Sequence, residues 1–407
     1  MLYDLHELQR SFLAPLAAFS GTSSQLFSHP YSPLAYTPVS RQLAAAYELV
    51  HRLGKDYEKP AWGLSHTEVQ GRTVAVTERV QIAKPFCNLI HFSRDFPQAD
   101  QDPKILLVAP LSGHHATLLR DTVRALLPEH SVYVTDWVDA RMVPQSAGPF
   151  HLDDYVLYIQ EFIRALGPDV HVMSVCQPTV PVLAAVSLMA SQQDPALPRS
   201  LIMMGGPIDT RQSPTQVNRL ATTKPYSWFE NNLIHRVPSR YPGAGRPVYP
   251  GFLQHTGFIA MNPDRHMHSH YDFYQHLIKG DDDDAEAHRR FYDEYNAVLD
   301  MPAEFYLDTI RIVFQEQQLP KGQWRVRGDL VRPQDIHGVA LFTIEGELDD
   351  ISGLGQTHAA QGLCSGIAAE LKQQFTAPRC GHYGIFSGSR WRTQICPKIK
   401  EFVRQHA

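Results

Sequence analysis

From Lys104 the chain settles into a rhythm that few folds can accommodate. Short apolar runs, KILLVAP from Lys104, SVYVTDW from Ser131, DVHVMSV from Asp169 and SLIMMGGP from Ser200, alternate with segments of helical period. The intervening stretches are HATLLRDTVRALLPEH, DDYVLYIQEFIRALG and PTVPVLAAVSLMASQ. Strands alternating with helices of this length predict a parallel, doubly wound sheet. Because the strands are apolar without alternation, both sheet faces are expected to be covered.

The rhythm stops near Pro207 and returns with GVALFTIEG from Gly338, a helix expected around 360–373, the strand QFTAP and a final helix. Residues 208–335 between them are too long for a loop in a compact domain, so a largely helical cap is expected there. Upstream, TVAVTERVQIA from Thr73 alternates as a half-buried strand should, with CNLIHFSR as its hairpin partner. The expected organisation is an extension of helices and loops over 1–65, the first part of an α/β core over 66–207, the cap over 208–335 and the rest of the core over 336–407.

With 407 residues and 43% hydrophobic content, the chain can bury a large core. Its 37 basic and 42 acidic residues leave a net charge of −5, a poor footprint for nucleic acid. Five cysteines in no zinc or disulfide spacing fit free thiols in a reducing cytoplasm. The first residues lack the basic start of a signal peptide. The longest nearly apolar stretch, 181–190, is well short of the roughly 20 residues of a membrane span.

Cys176 falls where the strand DVHVMSV runs directly into a helix. This strand–turn–helix arrangement is that of a nucleophile elbow, with S-V-C-Q-P (Ser174 to Pro178) in place of G-x-S-x-G. A strained backbone is expected at Cys176, and the helix start favours a thiolate. The bland alternative is a buried structural cysteine. Asp349 lies three residues beyond Gly346, at the end of a late strand, where the acid of an α/β-hydrolase belongs; Asp350 and Glu347 compete for the role. His382, in CGHYGIFSG after the last strand, has the address of the base, whereas nearby Cys380 reads as structural. The backbone N–H of Gln177 and that of Leu111 or Ser112 would stabilise an oxyanion, with Gly113, His114 and His115 either shaping the site or merely filling the loop.

With these residues in place, the chain resembles the intracellular poly(3-hydroxybutyrate) depolymerases. The resemblance spans nearly the whole length and is most specific in residues 153–186, EGELDDISGLGQT (from Glu345) and CGHYGIFSG. It implies an α/β-hydrolase with Cys176 as nucleophile, Asp349 as acid and His382 as base, acting on amorphous storage polyester or its oligomers at cytoplasmic granules. It implies no metal and no cofactor, although the thioester at a cysteine leaves coenzyme A open as acyl acceptor beside water. A homo-oligomer is left open as well. Polyhydroxyalkanoate synthases also use a cysteine, but their box keeps glycines that S-V-C-Q-P lacks. A non-catalytic granule protein is disfavoured by the three triad residue types, and a Rossmann dehydrogenase by the absence of G-x-G-x-x-G after an early strand.

Aromatics interleave with polar residues in YSWFENNLIHR, YPGFLQHTGFIAM and HYDFYQHL. These would line an acyl channel, dock on a granule, or form the cap's own core. In RHMHSHYD, His266, His268 and His270 would share one face of an extended segment, which invites a metal without supporting carboxylate spacing. Asp281 to Asp284 reads as a solvated turn rather than a calcium loop.

Overall fold

A computed structural model describes residues 2–97, 99–261 and 263–407. The main sheet takes its strands from both sides of the insertion: β1 (His66–Val69), β2 (Arg72–Ala83), β3 (Cys87–Arg94), β4 (Lys104–Val108), β5 (Ser131–Trp137), β6 (Val170–Val175), β7 (Ser200–Met204), β8 (Ala340–Gly346) and β9 (Lys372–Ala377). Their order across the sheet is β1-β2-β3-β5-β4-β6-β7-β8-β9. The hairpins at the β1 edge and the β3–β5 pairing are antiparallel; every pairing from β5 to β9 is parallel. This strand order is that of the α/β-hydrolase fold, with β1 added at one edge.

The burial of each strand explains its composition. β6, β7 and β8 are buried at every position, as continuous apolar strands covered on both faces must be. β2 at the sheet margin is mostly exposed and correspondingly rich in polar residues. Helices packed on the main sheet include α3 (Arg120–Leu126), α4 (Leu152–Leu166), α5 (Thr179–Ser191) and the C-terminal helix Cys396–Gln405. α5 is buried from Thr179 through Met189, which accounts for its apolar character on all sides.

Before β1 lie α1 (Leu2–Ser28) and α2 (Ser40–Gly54). The insertion between β7 and β8 carries α6 (Gln216–Thr223), α7 (Tyr226–Leu233), α8 (Gly251–Met261), α9 (Pro263–Lys279), α10 (Asp282–Asn296) and α11 (Ala303–Asp308), the last continued by a π-helical turn, Thr309–Gln315. A small sheet of residues 235–236, 247–249 and 301–302 joins these helices and was not foreseen in the sequence. The N-terminal helices pack onto the insertion rather than standing apart. The Arg289 guanidinium donates to both carboxylate oxygens of Glu48 at 2.6 and 2.9 Å, and Arg52 donates to Asp293 at 2.9 Å.

Two expectations need correction. The helix expected over 360–373 is only Ala359–Leu363 and a 3-10 turn at Ala369–Leu371. The helix ends at Leu363 because Cys364, at φ −81° and ψ +54°, leaves helical geometry; beyond it the chain passes so close to a neighbouring loop that a Cβ on Gly366 would lie 2.2 Å from the Gln334 carbonyl. The segment holding His266, His268 and His270 is helical, not extended. At about 100° per residue, His268 therefore points away from the other two.

Candidate functional site

Strand register brings four loops to one edge of the sheet. Val108 of β4 pairs with Ser174 of β6, Val175 with Met204 of β7, Ile344 of β8 with Met204, and Gly346 with Ala377 of β9. The loops that follow these strands carry Leu111, Cys176, Asp349 and His382 respectively. β4 lies between β5 and β6, so the chain leaves it on one side and returns on the other, and the crevice at such a switch point is where α/β sheets bind ligands.

Cys176 adopts φ +69°, a left-handed conformation that costs a non-glycine residue about 1–3 kcal/mol. Hydrogen bonds fix it there: its N–H donates to the Met204 carbonyl at 2.7 Å, while its own carbonyl accepts from Thr179 N–H at 3.2 Å and Thr179 Oγ1 at 3.0 Å. Ser174, at the first glycine position of the usual motif, is fully buried. Pro178 occupies the cap position of α5 with φ −62°.

His382 Nδ1 lies 2.7 Å from Asp349 Oδ2, and the Asp349 side chain is inaccessible to solvent. The other carboxylate oxygen accepts from Ile351 N–H at 2.9 Å and Ser352 N–H at 2.8 Å, which orients the acid. The competitors face elsewhere: Asp350 is exposed, and Glu347 accepts from Arg379 N–H at 2.6 Å. Burial opposes charge on His382, but the Asp349 carboxylate and the Cys176 sulfur, both hydrogen-bonded to the ring, outweigh it and hold the imidazole well above its ordinary value. The structure thus brings Cys176, His382 and Asp349 into one chain of contacts. Cys380 is buried beside it, its thiol pushed up by burial.

Gly205, directly after β7, was passed over in the sequence. Its φ is +55°, and a Cβ would meet Ile385 Cδ1 at 2.5 Å, His382 Cε1 at 3.3 Å and Asp349 Oδ2 at 3.4 Å. Glu345 was missed too, although a carboxylate inside the apolar strand VALFTIEG is a signal. It is buried and accepts from the N–H groups of Gly355, Thr357 and His358, each at 2.8 Å, which secures the loop that follows Asp349.

The N–H of Leu111, a candidate oxyanion donor, is engaged: it donates to Gln177 Oε1 at 3.4 Å. Leu111, Ser112, Cys176, Gln177 and His382 all face one cavity of about 450 Å³. His114 also lines it, stacked on Phe258 with centroids 4.8 Å apart and kept neutral by burial, which lowers its pKa to about 4. The roof comes from the insertion, with Phe229, Phe258, Phe305, Tyr306 and Phe314 among its side chains. Of the three aromatic segments, the first two therefore reach the cavity. In the third, Phe273 instead stacks on His288 at 4.2 Å, within the insertion's own packing.

The three clustered histidines do not converge. His266 Nδ1 contacts Tyr292 Oη at 3.0 Å, His268 Nδ1 contacts the Asp264 carbonyl at 2.7 Å, and His270 packs on the rings of His288 and Tyr292. Asp282, Asp283 and Asp284 form the first turn of α10, where acidic side chains suit the helix dipole. Among the described residues, one grouping, His276 with Asp281 and Asp284, is close enough to hold a cation; both carboxylates are exposed, and His276 already contacts Asp281 at 3.1 Å.

A family model described as the C-terminus of PHB de-polymerase matches residues 205–407, a span that includes Asp349 and His382 and begins beside Cys176 in space. The chain belongs to the PHB depolymerase family. Within this family member, Cys176 itself lies upstream of the matched span. No curated protein matches the chain. Among solved structures, it is similar to a putative lipase from Acinetobacter baumannii AYE (12% identity, 81% of this chain and 93% of that one, TM-score 0.44). It is also similar to 2-hydroxy-6-oxo-6-phenylhexa-2,4-dienoate hydrolase from Rhodococcus sp. strain RHA1 (14%, 81% and 99%, 0.44) and to a monoacylglycerol lipase from Paleococcus ferrophilus (12%, 75% and 95%, 0.44). The fold of this depolymerase-family chain rests on its strand order, not on these distant likenesses. Among the described residues, no helix is long and apolar enough to cross a membrane.

Proposed function

We propose that the protein cleaves ester bonds of amorphous poly(3-hydroxybutyrate) or its oligomers, through attack by Cys176 assisted by His382 and Asp349. The observation that carries this reading is the contact chain from Cys176 through His382 to Asp349 at the floor of a chiefly apolar cavity of about 450 Å³. Membership of the PHB depolymerase family supports ester hydrolysis as the reaction class and polyester as the substrate.

In the proposed cycle His382 takes the thiol proton and the Cys176 sulfur bonds to the ester carbonyl carbon. The carbonyl π pair moves onto oxygen, which accepts from Gln177 N–H and from Leu111 or Ser112 N–H. Collapse re-forms the carbonyl and expels the alcohol of the next unit, which receives the proton from His382. A 3-hydroxybutyryl thioester remains on Cys176. Water, or the thiol of coenzyme A, gives its proton to His382 and attacks that thioester, and the cysteine thiolate leaves. The raised pKa of His382 suits it to carry the proton between these steps. The insertion acts as a cap that shields the thioester and binds acyl chain against its aromatic side chains.

Incubation of the purified protein with amorphous polymer granules, with and without coenzyme A, tests the reading. Released 3-hydroxybutyrate units, or their coenzyme A thioesters when the thiol is present, are expected. Inertness towards polymer and oligomers, with polymer formation from 3-hydroxybutyryl-coenzyme A, would overturn it.

A further inference from the structure

α1 has two faces. One packs onto the body: Ser24 Oγ donates to the Ala44 carbonyl at 2.9 Å, His51 Nδ1 contacts the Ala17 carbonyl at 2.8 Å, and Tyr3 Oη donates to Asp300 at 2.7 Å. The other presents Leu5, Leu8, Phe12, Leu16, Phe19 and Leu26 to solvent, each 49–75% exposed. At 100° per residue these six fall within an arc of about 80°, a continuous apolar stripe along a helix about 40 Å long. Exposed stripes of this kind mark interaction surfaces.

We propose that the stripe is covered by a second copy of this chain, the two α1 helices lying antiparallel across a two-fold axis. Leu5, Phe12, Phe19 and Leu26 recur every seven residues, the spacing that keeps a seam facing a partner helix. The series reads Leu–Phe–Phe–Leu in both directions, and a two-fold contact requires a patch complementary to itself. In the antiparallel pair Leu5 meets the partner's Leu26 and Phe12 meets the partner's Phe19, with Leu16 beside the axis. The six side chains at roughly 100 Å² each bury about 1,200 Å² over both copies, the lower end of the range for stable complexes. From Ser11 to Ser28, α1 has no charged residue. The stripe therefore lacks the cations that hold interfacial helices on anionic lipid.

The pairing is independent of the chemistry proposed for Cys176. Light scattering on the purified full chain should give twice the chain mass. Phe12→Glu with Phe19→Glu should give the single-chain mass with an unchanged circular dichroism spectrum. Under oxidation, a mixture of Leu5→Cys and Leu26→Cys chains should cross-link between these positions, and Leu5→Cys alone should not. A wild-type monomer, a dimer that survives the double glutamate variant, or a monomer that binds liposomes or polyester particles through this stripe would overturn the proposal.

Discussion

His382 Nδ1 and Asp349 Oδ2 lie 2.7 Å apart, with the carboxylate sealed from water and its second oxygen held by two backbone N–H groups. Such an acid fixes the ring so that its other nitrogen faces the nucleophile. Asp349→Asn keeps the size but removes the charge, and kcat on a soluble 3-hydroxybutyryl ester should fall by about 10²- to 10⁴-fold. Asp350→Asn, at an exposed position, should leave it near wild type. Equal losses in the two variants would mean that Asp349 does not serve as the acid of His382.

The hydrogen bond from Leu111 N–H to Gln177 Oε1 at 3.4 Å must open before a substrate oxygen can use that donor. Gln177→Ala frees the N–H and keeps the backbone of the turn. At 3.4 Å the bond is longer than an ordinary one and sits at the weak end of about 0.5–1.5 kcal/mol, so kcat/KM on a small ester should rise by about 2-fold. A fall of similar size would mean that the Gln177 side chain binds substrate.

Gly205 stands at φ +55° against Ile385 and His382. Gly205→Ala adds backbone strain of about 1–3 kcal/mol and a clash that displaces the histidine, so stability in denaturant titrations and kcat should drop together. Gly322 is the control: its φ is +66°, but nothing lies within 4 Å of an added Cβ. Gly322→Ala should cost stability and spare turnover.

Asp139 and Asp300 are buried side by side where Tyr3 of α1 meets the body. Burial, reinforced by the Asp300 charge and opposed by the Arg141 guanidinium 2.9 Å away, pushes the Asp139 carboxyl up from 3.8 to about 7, and burial raises the Asp300 carboxyl as well. Between those values the folded chain keeps a proton that the unfolded chain has released. Asp139 therefore contributes stability that is full below 3.8 and lost as pH rises through about 7. Asp139→Asn imitates the protonated form, so its Tm relative to wild type should increase from about pH 5 to about pH 8. A difference that stays constant or shrinks would contradict the shift.

What was legible in the sequence follows from burial. β4, β6, β7 and β8 are covered on both faces, so their residues could hardly be other than apolar, and the Cys176 elbow was readable because it joins two such elements. Asp349 and His382 were legible through their positions after strands. Less visible were features set by distant neighbours. The helix near 360 ends at Leu363 ahead of the tight approach of Gly366 to the Gln334 loop, and the Leu111 donor is engaged by a side chain 66 positions away. The histidines at 266, 268 and 270 fit either an extended or a helical period on so short a span; they lie on α9, which packs between α2 and α10.

The proposed cycle requires Cys176 to carry the acyl group. Rapid quenching during turnover of a 3-hydroxybutyryl ester, followed by intact-mass and peptide mass spectrometry, tests it most directly. A 3-hydroxybutyryl adduct is expected on the Cys176 peptide, absent from Cys176→Ala, which should also lose ester turnover. An adduct on another residue, or wild-type turnover in Cys176→Ala, would contradict it.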